Sequence, residues 1–174
     1  MTLYDGVVYG LYFHNILGPD PCDKRFYKVL DDADRAEGFV TGSVVKCDRE
    51  SADAATYNRW NRFNGSAGVV MSTKCVDTMR CGAKAPGWLF DGHPRVAEGV
   101  VIRTVCYHWA DDCCYYKNDI QVKNCGGYFV YKFERPPASN LRYCGNGTGK
   151  QAQSSTAPDR RCYERMFTQI HFFN

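Results

Sequence analysis

The 174-residue sequence lacks most of the patterns that would assign it to a common intracellular class. It has no apolar run near the ~18–20 residues of a membrane-spanning helix, so this segment is not expected to insert into a bilayer. No basic block is longer than Arg160-Arg161, and the net charge is only +3, whereas nucleic-acid binding requires a concentrated basic face. The start Met1-Thr2-Leu3-Tyr4-Asp5 lacks the basic residues and apolar stretch of a secretory leader, so a secreted chain beginning here is expected to be a mature form. Internal repeats and long amphipathic helices are also missing.

Catalytic signatures are equally scarce. There is no G-x-S-x-G elbow to expose a nucleophilic serine. His108, beside Cys106 and Trp109, reads as a packed structural histidine, and His93 in Asp91-Gly92-His93-Pro94 reads as a turn residue. The pairs Asp31-Asp32 and Asp111-Asp112 sit in polar stretches and read as solvated charges rather than the facing carboxyls of a glycosidase. Gly145-Asn-Gly-Thr-Gly-Lys150 lacks the spacing of a phosphate loop, and no calcium-loop alternation occurs. No catalytic residue, metal site or cofactor is therefore expected.

Cysteine is what the sequence has in excess. The ten are Cys22, Cys47, Cys75, Cys81, Cys106, Cys113, Cys114, Cys125, Cys144 and Cys162, and none forms a C-x-x-C pair. The four histidines, His14, His93, His108 and His171, are scattered singly, which disfavours zinc. An even count without metal spacing points to about five disulfides in an oxidising, extracellular compartment. Adjacent cysteines are poorly placed to bond each other, so Cys113 and Cys114 are each expected to reach a distant partner.

Short strand candidates dominate the rest. They are Phe39–Lys46, Gly68–Ser72, Gly99–His108, Ile120–Asn124 and Gly127–Phe133, separated by turn clusters that include Asn64-Gly65-Ser66 and Ala85-Pro86-Gly87. Residues 23–37, with Asp31, Asp32, Asp34, Arg35 and Glu37, read as a solvated connection or short helix. The clearest alternation is Tyr128–Phe133, whose aromatic face is expected to turn inward. The fold class is a disulfide-rich, mainly β domain with short helices, compact and single. Residues 1–21 read as an N-terminal strand extension, 146–161 as a flexible linker, and 162–174 as a C-terminal strand docking on the domain. Trp60, Trp88 and Trp109 read as packing around the bridges, with their ring N–H groups needing partners.

Several motifs in order carry a resemblance. They include Tyr27-Lys-Val-Leu-Asp-Asp32, Trp60-Asn-Arg-Phe63, Met71-Ser-Thr-Lys-Cys-Val76, Ala85-Pro-Gly-Trp-Leu89, Val105-Cys-Tyr-His-Trp109, Cys113-Cys114, Asn124-Cys-Gly-Gly127 and Leu141-Arg-Tyr-Cys-Gly145. Residues 22–145 resemble the uromodulin-type cysteine-rich domain, known in eight- and ten-cysteine forms. The resemblance implies the bonds Cys22–Cys125, Cys75–Cys113, Cys81–Cys144 and Cys106–Cys114. The family's partner for the Cys47 position is replaced here by Ser139, and the cysteine left over is Cys162. A relocated Cys47–Cys162 bond is expected. The alternative is that one or both thiols stay free or join another chain.

Two sequons, Asn64-Gly-Ser66 and Asn146-Gly-Thr148, are candidates for N-glycosylation, with Asn146 the better one if its linker is flexible. Some mammalian members of the family display N-glycans on this domain as bait for bacterial adhesins. The family sequons that do so are replaced here by Phe90-Asp91 and Lys132-Phe133, so that role does not transfer from those sites. The expected function is a non-enzymatic extracellular recognition or adhesion module of a secreted or cell-surface glycoprotein, with an extracellular protein or glycan as partner. The alternatives are a subunit of an extracellular assembly joined through its β-prone ends, Leu3–Phe13 and Phe167–Phe173, and a lectin-like carbohydrate binder.

Overall fold

A computed structural model describes residues 18–49 and 56–148. The expected terminal strands, including Leu3–Phe13 and Phe167–Phe173, and most of the expected linker lie outside the described residues. Seven strands form one mixed sheet: β1 (Tyr27–Leu30), β2 (Trp60–Phe63), β3 (Ala85–Leu89), β4 (Val100–Trp109), β5 (Asp112–Asn124), β6 (Phe129–Lys132) and β7 (Leu141–Tyr143). Their order across the sheet is β1-β2-β6-β5-β4-β3-β7. The helical content among the described residues is three short 3-10 turns, Ala33–Arg35, Gly65–Ala67 and Val96–Glu98.

The centre is the β4–β5 hairpin. Its strands carry the β-branched residues Val100, Val101, Ile102, Val105, Ile120 and Val122, which suit a pleated surface. Trp109 pairs with Asp112 across a turn of Ala110 and Asp111, and Ala110 takes the left-handed conformation (φ 52°) that a tight hairpin needs. The pairings β1–β2 and β3–β7 are parallel and join segments distant in sequence.

Alternation along the strands divides the side chains between two faces. Leu89, Val105, Tyr107, Ile120, Val122, Tyr131, Phe133 and Tyr143 form the main core with Leu30, Phe63 and Met71. Phe133 and Tyr143 stack at 4.0 Å, and Phe63 meets Tyr131 edge-on at 5.6 Å. Each such side chain, fully buried, contributes roughly 1.5–3 kcal/mol. The polar ends in this core are matched: Tyr107 donates to Asn118 Oδ1 at 2.8 Å, Asn118 Nδ2 to Tyr143 Oη at 3.0 Å, and Tyr143 to the Glu134 carbonyl at 2.7 Å. The opposite face of β3, β4 and β7 carries a smaller cluster of Val76, Cys81, Trp88, Cys106 and Cys144.

Several local expectations are corrected. Ala85-Pro86-Gly87 is not a turn but the start of β3, buried throughout. Gly87 is there for proximity, because a Cβ would come within 2.6 Å of the Tyr107 ring. Residues 23–37 are not solvated throughout, since they include β1, and Asp34 and Arg35 are buried in ion pairs. Phe39–Lys46 and Gly68–Ser72 are not strands and make only the isolated bridges Val40–Arg80 and Met71–Gly145. The first residues of the supposed linker are docked: Asn146 N–H donates to Val70, Gly147 N–H to Ala67, and Gly38 N–H to Gly147.

Candidate functional site

Four disulfides join described residues: Cys22–Cys125, Cys75–Cys113, Cys81–Cys144 and Cys106–Cys114. These are the four pairs implied by the resemblance. Cys47 is disulfide-bonded as well, and Cys162, its expected partner, lies outside the described residues. Three of the four bonds gather at the outward cluster on β3, β4 and β7, while Cys22–Cys125 ties residues before β1 to the β5–β6 turn. The vicinal cysteines hold separate segments together, with Cys113 reaching back to Cys75 and Cys114 crossing the hairpin to Cys106.

Trp88 packs in this cluster and donates its ring N–H to the Cys113 carbonyl at 2.9 Å. Trp109 is half-buried against the main core. Trp60 is half-buried on β2, between Tyr27 and Lys132. Thus the three tryptophans occupy three different places and do not converge on one site.

His108 places Nδ1 2.9 Å from the Val76 carbonyl and 3.5 Å from Cys75 Sγ. A carbonyl only accepts, so Nδ1 carries the proton. Cys75, His108 and Cys113 offer atoms within 4.8 Å of one another, as a metal site would. Their sulfurs are bonded to each other and the facing ring nitrogen is a donor, so this arrangement presents no thiolate ligand set. His93 is more than a turn residue: its Nε2 accepts from Tyr131 Oη at 2.7 Å, and Tyr131 in turn accepts the Met71 N–H at 3.1 Å. Burial lowers the His93 pKa to about 4, which keeps the ring neutral. Asp111 is exposed, and Asp112 accepts the Cys114 N–H, so neither is poised against a second carboxyl.

The sequons differ in setting. Asn64 is exposed at the start of the Gly65–Ala67 turn. Asn146 is also exposed, yet its Oδ1 accepts from the Val69 and Val70 N–H groups at 3.0 and 3.3 Å, so it is part of a fixed loop contact.

The site that sequence reasoning missed is an apolar ridge on the outward face. Val100 (47% exposed) and Ile102 (58%) alternate outward on β4. Phe90 (59% exposed) donates its backbone N–H to Thr104, on the same side of the sheet as Trp88, whose ring lies 5.6 Å away. Across from Ile102, Thr104 and Cys106 stand Gln121, Asp119 and Lys117, giving the ridge a polar margin. The signal was present in the sequence: Val100-Val101-Ile102 is apolar at successive positions, so one apolar residue must face out whichever way the strand turns.

The outward cluster, its four bonds and the seven-stranded order agree with a family comparison. Residues 61–145 match the model for the uromodulin-like eight-cysteine domain. This segment belongs to the uromodulin-like domain family. Uromodulin of Rattus norvegicus is 41% identical over 126 residues, 72% of this chain and 18% of that protein. The pancreatic secretory granule membrane major glycoprotein GP2 of Canis lupus familiaris is 42% identical over 142 residues, 81% of this chain and 25% of that protein. The chain thus spans a quarter or less of these two relatives. The uromodulin-like domain is extracellular and disulfide-rich, as the cysteine chemistry requires. Among the described residues, no helix is long and apolar enough to cross a membrane.

Proposed function

We propose that this uromodulin-like domain is a non-enzymatic recognition module that holds a protein partner on the outward ridge of Phe90, Val100 and Ile102. The observation that supports it is the exposure of three large apolar side chains on one side of a sheet whose opposite face is fully packed. Apolar side chains gathered in this way favour a partner that covers them, and the margin of Lys117, Asp119 and Gln121 supplies the polar rim of a protein interface. The disulfides fix the ridge in advance, so little conformational freedom is lost on binding.

The reading is tested by probing an array of extracellular proteins and an array of glycans with the full chain and with its Phe90→Ser/Ile102→Ser variant. Capture by an extracellular protein, weakened at least tenfold in the variant, supports it. Capture by glycans alone, or protein capture indifferent to the two substitutions, overturns it.

A further inference from the structure

We infer that Cys113 is a thiol-exchange site, at which an external small-molecule thiolate opens the Cys75–Cys113 bond and becomes attached to the domain through Cys113. The inference rests on how differently the described cysteines are placed. Cys81, Cys106 and Cys144 are sealed from solvent, Cys22, Cys114 and Cys125 are half-buried, and Cys113 is exposed. Exchange requires in-line approach of a thiolate to one sulfur, so access selects Cys113 as the atom attacked.

The second determinant is the leaving group, since a disulfide opens faster when the departing sulfur is stabilised as a thiolate. Cys75 Sγ lies 3.5 Å from His108 Nδ1, whose proton is fixed on that nitrogen by the Val76 carbonyl at 2.9 Å. When the external sulfur bonds to Cys113 Sγ, the bond to Cys75 breaks and its electron pair moves to Cys75 Sγ. That thiolate meets the His108 N–H without any rearrangement of the ring. One disulfide is exchanged for another, so no oxidant or reductant is consumed, and the reverse attack of Cys75 on Cys113 expels the thiol and restores the native bond. Attack in the opposite sense would need approach to half-buried Cys75 and would leave the charge on Cys113, with no ring donor recorded at its sulfur.

Cys113 also sits where attachment leaves the fold intact. It lies on the exposed end of β5 next to the hairpin turn, and Cys106–Cys114 continues to clamp that hairpin when the neighbouring bond opens. The domain is thereby given a reversible covalent handle, distinct from the apolar ridge.

The test incubates the full chain with reduced glutathione under native conditions, quenches with N-ethylmaleimide, and maps the cysteines by mass spectrometry without reduction. The expected product carries glutathione on Cys113 and maleimide on Cys75, with the other three described bonds intact. In His108→Phe, opening of Cys75–Cys113 is expected to slow roughly tenfold while the opening rate of Cys22–Cys125 is unchanged. Glutathione on Cys75, prior opening of Cys22–Cys125, the absence of any adduct, or an unaltered rate in His108→Phe would each overturn the inference. The position of the adduct in the unsubstituted protein decides the matter even if the histidine variant does not fold.

Discussion

Arg35 grips Asp48 through two donors, Nη1 to Oδ2 at 2.9 Å and Nη2 to Oδ1 at 2.5 Å, with both side chains almost wholly out of water. Asp48 also accepts the Tyr143 N–H at 3.0 Å, so the pair fastens the segment after Cys47 to β7. Close by, Asp34 meets Lys46 at 2.5 Å and Arg142 at 3.0 Å. Burial opposes the charge on Asp48, but Arg35 outweighs it and holds the carboxyl below its ordinary value of 3.8.

Removing one partner of this buried pair strands the other. Asp48→Ala is expected to cost about 3–5 kcal/mol in urea unfolding, and the double variant Arg35→Met/Asp48→Leu to recover most of that loss. Because the folded carboxyl has the lower pKa, its stabilisation is complete above pH 3.8 and is withdrawn as pH falls from there through the folded value. Urea midpoints of the parent and the double variant, measured from pH 5 to 2, check the sign: only the parent should show this component.

His93 titrates in a different window. Its folded pKa of about 4 lies below the ordinary 6.5, so the unfolded chain takes up a proton first as pH falls. The neutral ring's contribution is present above pH 6.5 and is lost between there and pH 4. The urea midpoint is expected to drop over this interval in the parent chain and to vary less in His93→Gln. Equal slopes for the two proteins would show that another group governs the interval.

Two glycines are predicted to be intolerant for different reasons. At Gly145 an added Cβ would lie 2.1 Å from the Ala67 carbonyl oxygen and 2.7 Å from the Phe63 ring. At Gly68 the backbone is left-handed (φ 96°) and a Cβ would meet the Gly147 nitrogen at 2.3 Å and Asn146 Oδ1 at 2.5 Å. Each Gly→Ala change is expected to cost about 3 kcal/mol or more, because the obstructing atoms are mostly backbone. Gly92→Ala is the contrast: nothing lies within 4 Å, and the cost should be about 1 kcal/mol, from its positive φ alone. Thermal melts of the three variants give the ranking.

The disulfides should rank by the chain they enclose. Cys22–Cys125 spans 103 residues and Cys106–Cys114 only 8. Loop-closure entropy gives about 4.7 kcal/mol for a loop of the first size and about 2.5 kcal/mol for the second. Paired Cys→Ser replacements, compared by denaturant unfolding, are expected to fall in that order.

Which parts of the fold were legible follows from which residues act locally. Phe129, Tyr131 and Phe133 announced β6 because a strand buried on one face writes its alternation into three neighbouring positions. β3 was misread because burial on both faces erases alternation, and Pro86-Gly87 carries the local signature of a turn while Gly87 answers to Tyr107, twenty positions away in the chain. Asp34 and Arg35 looked solvated because their partners Arg142 and Asp48 are remote in sequence. Cysteine spacing alone allowed many pairings, and only the family resemblance singled out four. The apolar ridge went unread because Val100 and Ile102 are ordinary strand residues until the far side of the sheet is known to be covered.

The arrangement of strands has a consequence for biosynthesis. The β4–β5 hairpin is assembled from neighbouring residues, and hairpins of this kind close in microseconds. Cys106 and Cys114 are therefore brought together almost as soon as both have been made. Cys81 has a different history, since Cys144 follows it by 63 positions and lies just beyond β7, the last described strand to join the sheet. Throughout that interval on the ribosome Cys81 has thiols beside it that are not its own partner, which makes it the cysteine most dependent on disulfide isomerisation to reach its final bond.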